Sequence, residues 1–250
     1  MSTSADLAAQ TDERTALLIG ESGLARLQSA RVLVAGLGGV GGICAEMLAR
    51  AGVGRIDLLD GDGFEPSNLN RQLLSTQAVL GRPKTEVAKA RIEQIRGDIA
   101  LNTHNRFLTA DEVAGFLAEV QPHWVADCID TVTTKSALLY EAQRLGIHSF
   151  TALGAGNRSD PSAVRIGRLT DVTGCGLARV LRQRLRKAGG RLDIPVVYSI
   201  EPPVKPAPHQ PNQQGIRPRA VNGTISYMPN IFGAMLAGEI IHALLAQSED

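Results

Sequence analysis

One segment near the start of the chain constrains the fold more than any other, because it has the pattern strand, glycine-rich loop, helix, strand within about 30 residues. RVLVAG (31–36) is a continuous apolar run that ends in glycine, which is typical of a buried parallel strand. RIDLLD (55–60) has the same character, and Ile43, Met47 and Leu48 fall at helical spacing between the two. The segment therefore predicts a βαβ unit with two parallel strands.

Strand and helix patterns keep alternating after this unit. Helices are predicted near 84–96, 111–120 and 135–144, and strands near 99–104, 123–130 and 147–152. Such alternation favours an α/β fold of the Rossmann-like kind, with a doubly wound, mostly parallel sheet.

The pattern changes beyond residue 157. AVRIGRL (163–169) alternates apolar and polar residues, which predicts a half-buried antiparallel strand. A helix at 177–187, a strand at 194–200 and a closing helix at 230–245 follow. We predict one domain over 1–250: N-terminal helices in 1–30, a core in 31–156, and a C-terminal antiparallel extension in 157–250 with a flexible, proline-rich loop at 201–223.

Composition excludes several classes of protein. Hydrophobic residues make up 44% of the chain, and 26 basic against 25 acidic residues leave a net charge of +1. A protein that coats nucleic acid indiscriminately would be far more basic, so any nucleic-acid contact must be local. The N-terminal residues lack an apolar secretion signal, and Glu239 and His242 interrupt the most apolar stretch, 231–245. We expect a soluble, cytoplasmic protein without a membrane span.

The glycine-rich loop is a candidate phosphate site. Gly36, Gly38, Gly39 and Gly41 lie between a strand and a helix, where glycines let the backbone turn tightly and approach a phosphate. Asp60 ends the next strand, where an acid would accept hydrogen bonds from ribose hydroxyls. Together these residues predict a nucleotide site in the core.

Further motifs narrow the class of site. After the glycines come LLDGD (58–62), SNLNRQ (67–72), GRPK (81–84) and CID (128–130). In this order and spacing, over residues 31–156, they resemble the adenylating domain of the ThiF/MoeB/ubiquitin-activating-enzyme superfamily. The resemblance implies an enzyme that attacks the α-phosphate of ATP with a carboxylate and expels pyrophosphate.

The resemblance also implies roles for individual residues. The catalytic set would be Arg71, Lys84 and Asp130, with positive charge on the triphosphate from the first two and Mg²⁺ held by the aspartate. The ATP-binding residues would be the four loop glycines, Asp60 on the ribose with Asp62 nearby, Asn70, Arg71, Gln72 and Lys84. In this superfamily the sites occur in homodimers, and an N-terminal arginine reaches the partner's ATP phosphates. Arg14 is our candidate, because Arg26 is predicted to be an ordinary surface arginine.

The C-terminal third resembles one branch of the superfamily, the tRNA threonylcarbamoyladenosine dehydratases. The matching segments are GAGNRSDPSAVRIGRLTDV (154–172), GLARVLRQRLRK (176–187), VVYSIEPP (196–203) and NGTISYMPNIFGAMLAGEII (222–241). The resemblance implies an enzyme that adenylates the carboxylate of a threonylcarbamoyl group on a tRNA anticodon-loop adenosine. Cyclisation would then expel AMP and complete a net dehydration.

The basic helix supports the tRNA hypothesis independently of the resemblance. Five basic residues crowd positions 179–187 without one acid, above a leucine stripe. Such a local basic face suits a phosphate backbone, and the alternative is a solvated charged face. The predicted tRNA-binding residues are Arg179, Arg182, Arg186 and Lys187. Arg158, Arg165 and Arg168 could extend the patch.

The cysteines and two competing functions leave alternatives open. Cys44 and Cys128 are predicted to be core residues, whereas Cys175 is either a loop cysteine or a thioester- or persulfide-forming one. The competing functions are activation of the C-terminal Gly-Gly of a ubiquitin-like or sulfur-carrier protein, and a nucleotide-binding scaffold without chemistry. The absence of paired CxxC zinc ligands disfavours the carrier protein, and the catalytic set named above disfavours the scaffold. A sulfurtransferase-type partner is left open.

Overall fold

The computed structural model describes residues 4–204 and 222–246, with side chains from residue 7 onward. Its seven strands are β1 (Arg31–Ala35), β2 (Arg55–Leu59), β3 (Ala100–His104), β4 (Trp124–Asp127), β5 (His148–Ala152), β6 (Val164–Arg168) and β7 (Pro195–Ser199). The α-helices are α1 (Ser4–Ser29), α2 (Gly41–Arg50), α3 (Lys84–Ile95), α4 (Val113–Val120), α5 (Val132–Arg144), α6 (Gly176–Ala188) and α7 (Tyr227–Ala246). Most of the predicted flexible loop at 201–223 lies outside the described residues.

The seven strands form one sheet in the order β3-β2-β1-β4-β5-β7-β6. All neighbours are parallel except β6 and β7, which are antiparallel. The predicted fold class, including the antiparallel extension, is confirmed. Because β2 and β4 lie on opposite sides of β1, the strand order reverses at β1. A crevice therefore opens there, at the carboxyl ends of the strands.

Helices cover both faces of the sheet, as the continuous apolar strands require. Val32 and Val34 face a core built with α2, α3 and α7, whereas Leu33 and Ala35 face a core built with α4 and α5. A third cluster joins α6 to α5 and β7. The two-residue period of β1 thus divides its side chains between two hydrophobic layers.

Helix α7 is long and apolar enough to cross a membrane by length and composition alone. In this structure it packs against α2 and the sheet, with Phe232, Leu236 and Ile240 fully buried. Gly233 allows this close approach, because a Cβ there would lie 2.2 Å from the Val40 carbonyl oxygen. Packing against α2 accounts for the apolar face of α7.

The N-terminal helix buries only part of its apolar residues. Leu24 and Leu27 are buried, but Leu17 and Leu18 are 83% and 86% exposed. The cause is Gly20, whose φ of 73° breaks α1 into two helical segments with different faces toward the core. The first segment is therefore not held by an apolar stripe.

Candidate active site

A cleft of about 610 Å³ lies at the carboxyl ends of the parallel strands. The glycine loop after β1 forms its floor, and the segments that follow β2, β4 and β5 contribute walls. Residues 222–224 and the start of α7 close the remaining side. The cleft thus occupies the place where an open α/β sheet binds its ligands.

The glycine loop has different requirements at each position. Gly36 has φ 89°, and a Cβ there would lie 2.9 Å from the Cys128 carbonyl oxygen. A Cβ on Gly41 would lie 1.7 Å from the Gly36 carbonyl oxygen, so only glycine lets α2 start this close to β1. A Cβ on Gly38 would meet no atom beyond its chain neighbours nearer than the Gln72 Nε2, at 3.9 Å. Gly36, Gly38 and Gly39 line the cleft, so the loop backbone there can approach a ligand.

Asp60, Asp62 and Lys84 form a charged group at the end of β2. Asp60 accepts hydrogen bonds from the backbone N–H of Leu37 at 2.6 Å and of Asp62 at 2.8 Å, which ties the glycine loop to β2. The Lys84 ammonium lies 2.9 Å from the Asp62 carboxylate and 3.9 Å from that of Asp60. All three line the cleft, so the structure brings together these predicted residues.

Arg71 and its neighbours form another part of the cleft. The Arg71 guanidinium donates to the Ser67 carbonyl at 2.7 Å and to the Asn70 side chain at 3.0 Å, and it lines the cleft. Gln72 also lines the cleft and is buried, and its Oε1 has no partner among the described residues. Asn70 is not a cleft-lining residue; it holds Arg71 and donates to the Thr224 carbonyl at 3.4 Å. Asn70 thus supports Arg71 in this structure, and its contact with ATP stays a prediction.

Asp130 lies three residues beyond β4, exposed at the cleft wall. Within the described residues its carboxylate forms no ion pair and accepts only from the Thr131 hydroxyl, at 3.3 Å. Among the residues that the structure describes, no group of three or more His, Cys, Asp or Glu side chains could hold a metal. A single free carboxylate in a cleft fits Mg²⁺, which is usually held by one or two carboxylates together with the oxygens of a bound phosphate.

A buried ion pair supports the segment that carries Asp130, and sequence reasoning missed it. Lys135 and Asp127 are both fully buried, 2.9 Å apart. The ammonium also donates to the Ile129 carbonyl at 3.0 Å, while Asp127 accepts from the Thr151 hydroxyl at 2.6 Å. The sequence did contain one sign of this pair, because the charged Asp127 ends the otherwise apolar strand WVAD. The pair fixes the turn between β4 and α5.

Cys44 and Cys175 are core residues, whereas Cys128 borders the cleft. Hydrogen bonding to Cys44 and burial raise the pKa of the Cys128 thiol well above its usual range. Cys44 is fully buried, as predicted, while Cys128 is half-buried and lines the cleft. Cys175 precedes α6 as its N-cap residue and is 8% exposed within the third hydrophobic cluster. This placement favours the structural interpretation of Cys175 over the reactive one.

The two candidate N-terminal arginines have different environments. Arg14 is exposed on α1 and does not line the cleft of its own chain. Arg26, predicted to be a surface residue, is half-buried instead, and its guanidinium donates to the Leu245 carbonyl at 2.7 Å. Arg26 thereby satisfies a free carbonyl at the C-terminal end of α7.

The basic helix lies beside the cleft, because Leu177 in its first turn lines the cleft wall. Arg179, Arg186 and Lys187 are exposed, as the sequence predicts. Arg182 differs: it is half-buried, and its Nη1 donates to the carbonyls of Leu169 and Val172 at 2.8 and 2.9 Å. Its role here is to hold the turn after β6, and we remove it from the exposed phosphate-binding set.

Three other predicted patch members are also engaged by the backbone. Arg158 is 7% exposed, so it cannot extend an exposed patch. Arg165 is exposed, but its Nη1 donates to the carbonyls of Ser162 and Val164. Arg168 is exposed as well and donates to the Asp193 carbonyl at 2.7 Å. The basic face is therefore narrower than the sequence suggests.

Comparison with known proteins agrees with the fold. The profile described as "ThiF family" matches residues 12–250, and the chain belongs to that family. Molybdopterin-synthase adenylyltransferase of Haemophilus influenzae is 42% identical, but over only 118 residues, 46% of this chain and 47% of its own length.

Several relatives that match most of the chain are tRNA threonylcarbamoyladenosine dehydratases. The tRNA threonylcarbamoyladenosine dehydratase of Bacillus subtilis (strain 168) is 31% identical over 242 residues, 94% of this chain and 95% of its own length. That of Escherichia coli (strain K12) is 36% identical over 199 residues, 77% of this chain and 74% of its own. The crystal structure of the E. coli enzyme in complex with ATP matches at a TM-score of 0.87 and 31% identity, covering 98% of both chains.

Proposed function

We propose that this protein is an ATP-dependent tRNA-modifying enzyme, which adenylates the carboxylate of threonylcarbamoyladenosine in the anticodon loop and cyclises it with net loss of water. The observation that carries the proposal is the extent of the similarity. It covers 94% of the chain and 95% of the B. subtilis dehydratase, whereas the match to the adenylyltransferase covers 46% of the chain. The similarity therefore extends beyond residue 156, into the part of the chain that the match to the adenylyltransferase is too short to include in full.

The residues of the cleft suit ATP. Asp60 keeps lone pairs free for ribose hydroxyls at the end of β2, because its two oxygens each accept only one short backbone bond. The N-terminal end of α2 would favour a phosphate by its dipole, and Arg71 would add a guanidinium charge in the same cleft. Lys84 shares its charge with Asp60 and Asp62, which holds it at the nucleoside end of the cleft.

The reaction would proceed in two steps at this site. Mg²⁺ held by Asp130 would neutralise the triphosphate and orient it for in-line attack. A carboxylate oxygen of the substrate bonds to the α-phosphorus, and the bond to pyrophosphate breaks. The carbamoyl group of the same substrate would then attack the acyl carbonyl and lose a proton to solvent, while the bond to AMP breaks and AMP leaves with the former carboxylate oxygen. The net result is dehydration.

The exposed face of α6 suits the tRNA backbone. Arg179, Arg186 and Lys187 present positive charge on a protein whose net charge is only +1, so the attraction is local. Leu177 in the first turn of the same helix lines the cleft, so a tRNA bound to α6 would lie next to the cleft. An anticodon-loop base could then enter the cleft.

Self-association completes the proposal. Leu17 and Leu18 are exposed within one turn of Arg14, and exposed apolar side chains of this kind are typical of an interface. In a homodimer, Arg14 of one protomer would reach the phosphates bound by its partner. Tm and sedimentation measured across protein concentration test this step. We place the enzyme in the cytoplasm, where tRNA modification takes place.

A pyrophosphate-exchange assay tests the function. We expect exchange with tRNA that carries threonylcarbamoyladenosine and none with unmodified tRNA or with NAD in place of ATP. Asp130→Asn should abolish exchange while leaving the fold intact, and Asp111→Asn, a matched change at an exposed turn, should have no effect. Exchange supported by a Gly-Gly-ending carrier protein would instead favour the alternative, an adenylyltransferase with a sulfurtransferase-type partner. That alternative rests on the 42% identity in the core.

A further inference from the structure

The segment after β5 contains a buried cation without a counterion. Arg158 is 7% exposed, and its Nη1 donates to the Gly154 carbonyl at 2.6 Å and the Gly156 carbonyl at 3.3 Å. Its Nε donates to the Glu201 carbonyl at 3.0 Å. The Glu201 carboxylate itself is occupied by the backbone N–H groups of Ser159 and Asp160. Among the described side chains, therefore, no carboxylate neutralises this guanidinium.

Arg158 orients the backbone in front of it. In a planar trans peptide the C=O and the next N–H point in opposite directions. Because Arg158 draws the Gly154 carbonyl toward itself, the N–H of Ala155 is directed away from Arg158. Within residues 4–204 and 222–246, the N–H groups of Gly154, Ala155 and Gly156 find no protein acceptor. All three residues line the cleft, and unpaired successive N–H groups near a cation are suited to an anion.

The order of the strands in the sheet indicates which anion residues 154–156 would bind. Asp60 follows β2, the glycine loop follows β1, Asp130 follows β4, and residues 154–156 follow β5; these strands are adjacent in that order. At about 4.8 Å per strand, the wall formed by residues 154–156 lies about 14 Å from the ribose end. In the proposed function, the ribose lies at the end of β2 and the phosphates lie at the ends of β1 and β4. The next position, over β5, is where an acceptor would approach the α-phosphate.

The opposite side of the same wall is also fixed. Asn157 has φ 60° and exchanges two hydrogen bonds with Gly223, one through its side-chain Oδ1 and one through its backbone N–H. Its Nδ2 donates to the Asn222 side chain at 2.8 Å. Residues 222–224 line the cleft too. The wall is therefore held in place by Arg158 behind it and by Asn157 beside it.

We propose that the backbone N–H groups of residues 154–156, with the Arg158 charge behind them, bind the carboxylate of the acceptor substrate. The inference rests on the proposed function and names the subsite for its reacting group. One carboxylate oxygen accepts from the wall, and the other stays free to bond to the α-phosphorus. In the cyclisation step the wall-bound oxygen is the acyl carbonyl, which gains negative charge as the carbamoyl group attacks. The same N–H groups then stabilise that oxyanion until AMP leaves. Arg158 acts through the backbone and is a positioning residue.

The test compares two probes that differ only in charge. The probes are anticodon stem-loop RNAs, one carrying threonylcarbamoyladenosine and the other its threonine carboxamide, each titrated with α,β-methylene ATP bound. We expect the wild type to prefer the carboxylate. Arg158→Gln keeps hydrogen-bond donors but removes the charge, and should reduce this preference at least about tenfold. Arg158→Lys keeps the charge and should retain most of it. Arg165→Gln, a nearby arginine also bound to backbone carbonyls, should leave the ratio unchanged.

Four outcomes would count against the proposal or against the function on which it rests. An unchanged carboxylate preference in folded Arg158→Gln overturns it, and so does weakened nucleotide binding with unchanged preference, which would assign the wall to ATP. If Arg158→Gln does not fold, Ala155→Pro removes one of the N–H groups without touching Arg158, and a retained preference there contradicts the inference. Failure of the wild type to bind the carboxylate stem-loop at all would refute the proposed function instead. The two failures are therefore distinguishable.

Discussion

Replacing Lys135 with methionine should destabilise the protein strongly. The substitution would leave the Asp127 carboxylate buried with only the Thr151 hydroxyl at 2.6 Å and the Ile129 N–H at 3.1 Å. The side chains of both partners are fully buried, so water cannot replace the lost ammonium. Breaking one partner of a buried ion pair typically costs about 3–5 kcal/mol, and we expect a loss in that range.

Urea unfolding of three variants measures this effect. Lys89→Met is the matched control: its ammonium is 3.9 Å from Glu93 and both side chains are largely exposed, so we expect a change below about 0.5 kcal/mol. Asp127→Asn combined with Lys135→Met removes the uncompensated charge and should recover at least half of the loss, since neutral replacement of a buried pair is often tolerated. A loss below about 1 kcal/mol for Lys135→Met, or a double variant no more stable than the single one, would refute this reasoning.

The glycine loop, the basic helix and a buried carboxylate each give a further prediction. Gly41→Ala should lower ATP affinity at least about tenfold, because the new Cβ would lie 1.7 Å from the Gly36 carbonyl oxygen. Isothermal calorimetry measures this affinity, and the control Gly38→Ala is expected to fold normally. Charge reversal on the exposed face of α6, at Arg179, Arg186 and Lys187, should weaken tRNA binding. The slope of log affinity against log salt concentration, measured by filter binding, should fall by roughly 0.7–0.9 for each lost phosphate contact. Burial raises the pKa of Asp57, but hydrogen bonds from His104 and others outweigh it and lower the pKa. Ionised Asp57 therefore stabilises the fold above about pH 4, and this stabilisation is lost as the pH falls through the lowered pKa of the folded state. Thermal unfolding of Asp57→Asn should show a weaker acid dependence than the wild type.

Much of the fold could be predicted because the determining interactions are local or periodic. The apolar run of β1 is buried on both faces of a parallel sheet. VRIGR forms the predicted antiparallel strand β6 at the edge of the sheet, although Ile166 is 40% exposed and burial does not follow the alternation. The glycine loop and Asp60 were predictable for the same reason, since their spacing reflects one βαβ unit. The cleft they form lies where the sequence places it.

The remaining features depend on partners that are distant in the sequence. Arg182 and Arg158 both look like members of a basic surface, yet each satisfies backbone carbonyls, up to 43 residues away for Arg158. Composition shows how many arginines a helix has, but it does not show which of them turn inward. Lys135 was missed likewise, because its partner Asp127 belongs to the preceding strand and the pair is visible only once α5 packs over β4. The kink at Gly20, beside the exposed Leu17, is likewise not visible in the apolar pattern of the sequence.

The most direct test of the proposed function is the mass of the modified nucleoside. The purified protein would be incubated with ATP, Mg²⁺ and tRNA carrying threonylcarbamoyladenosine, and the digested nucleosides would be analysed by mass spectrometry beside an Asp130→Asn control. We predict conversion of that nucleoside to a product lighter by one water, with one AMP and one pyrophosphate released per product, and no conversion by the variant. Full ATP binding with an unchanged nucleoside mass, or equal conversion by Asp130→Asn, would contradict the proposed function.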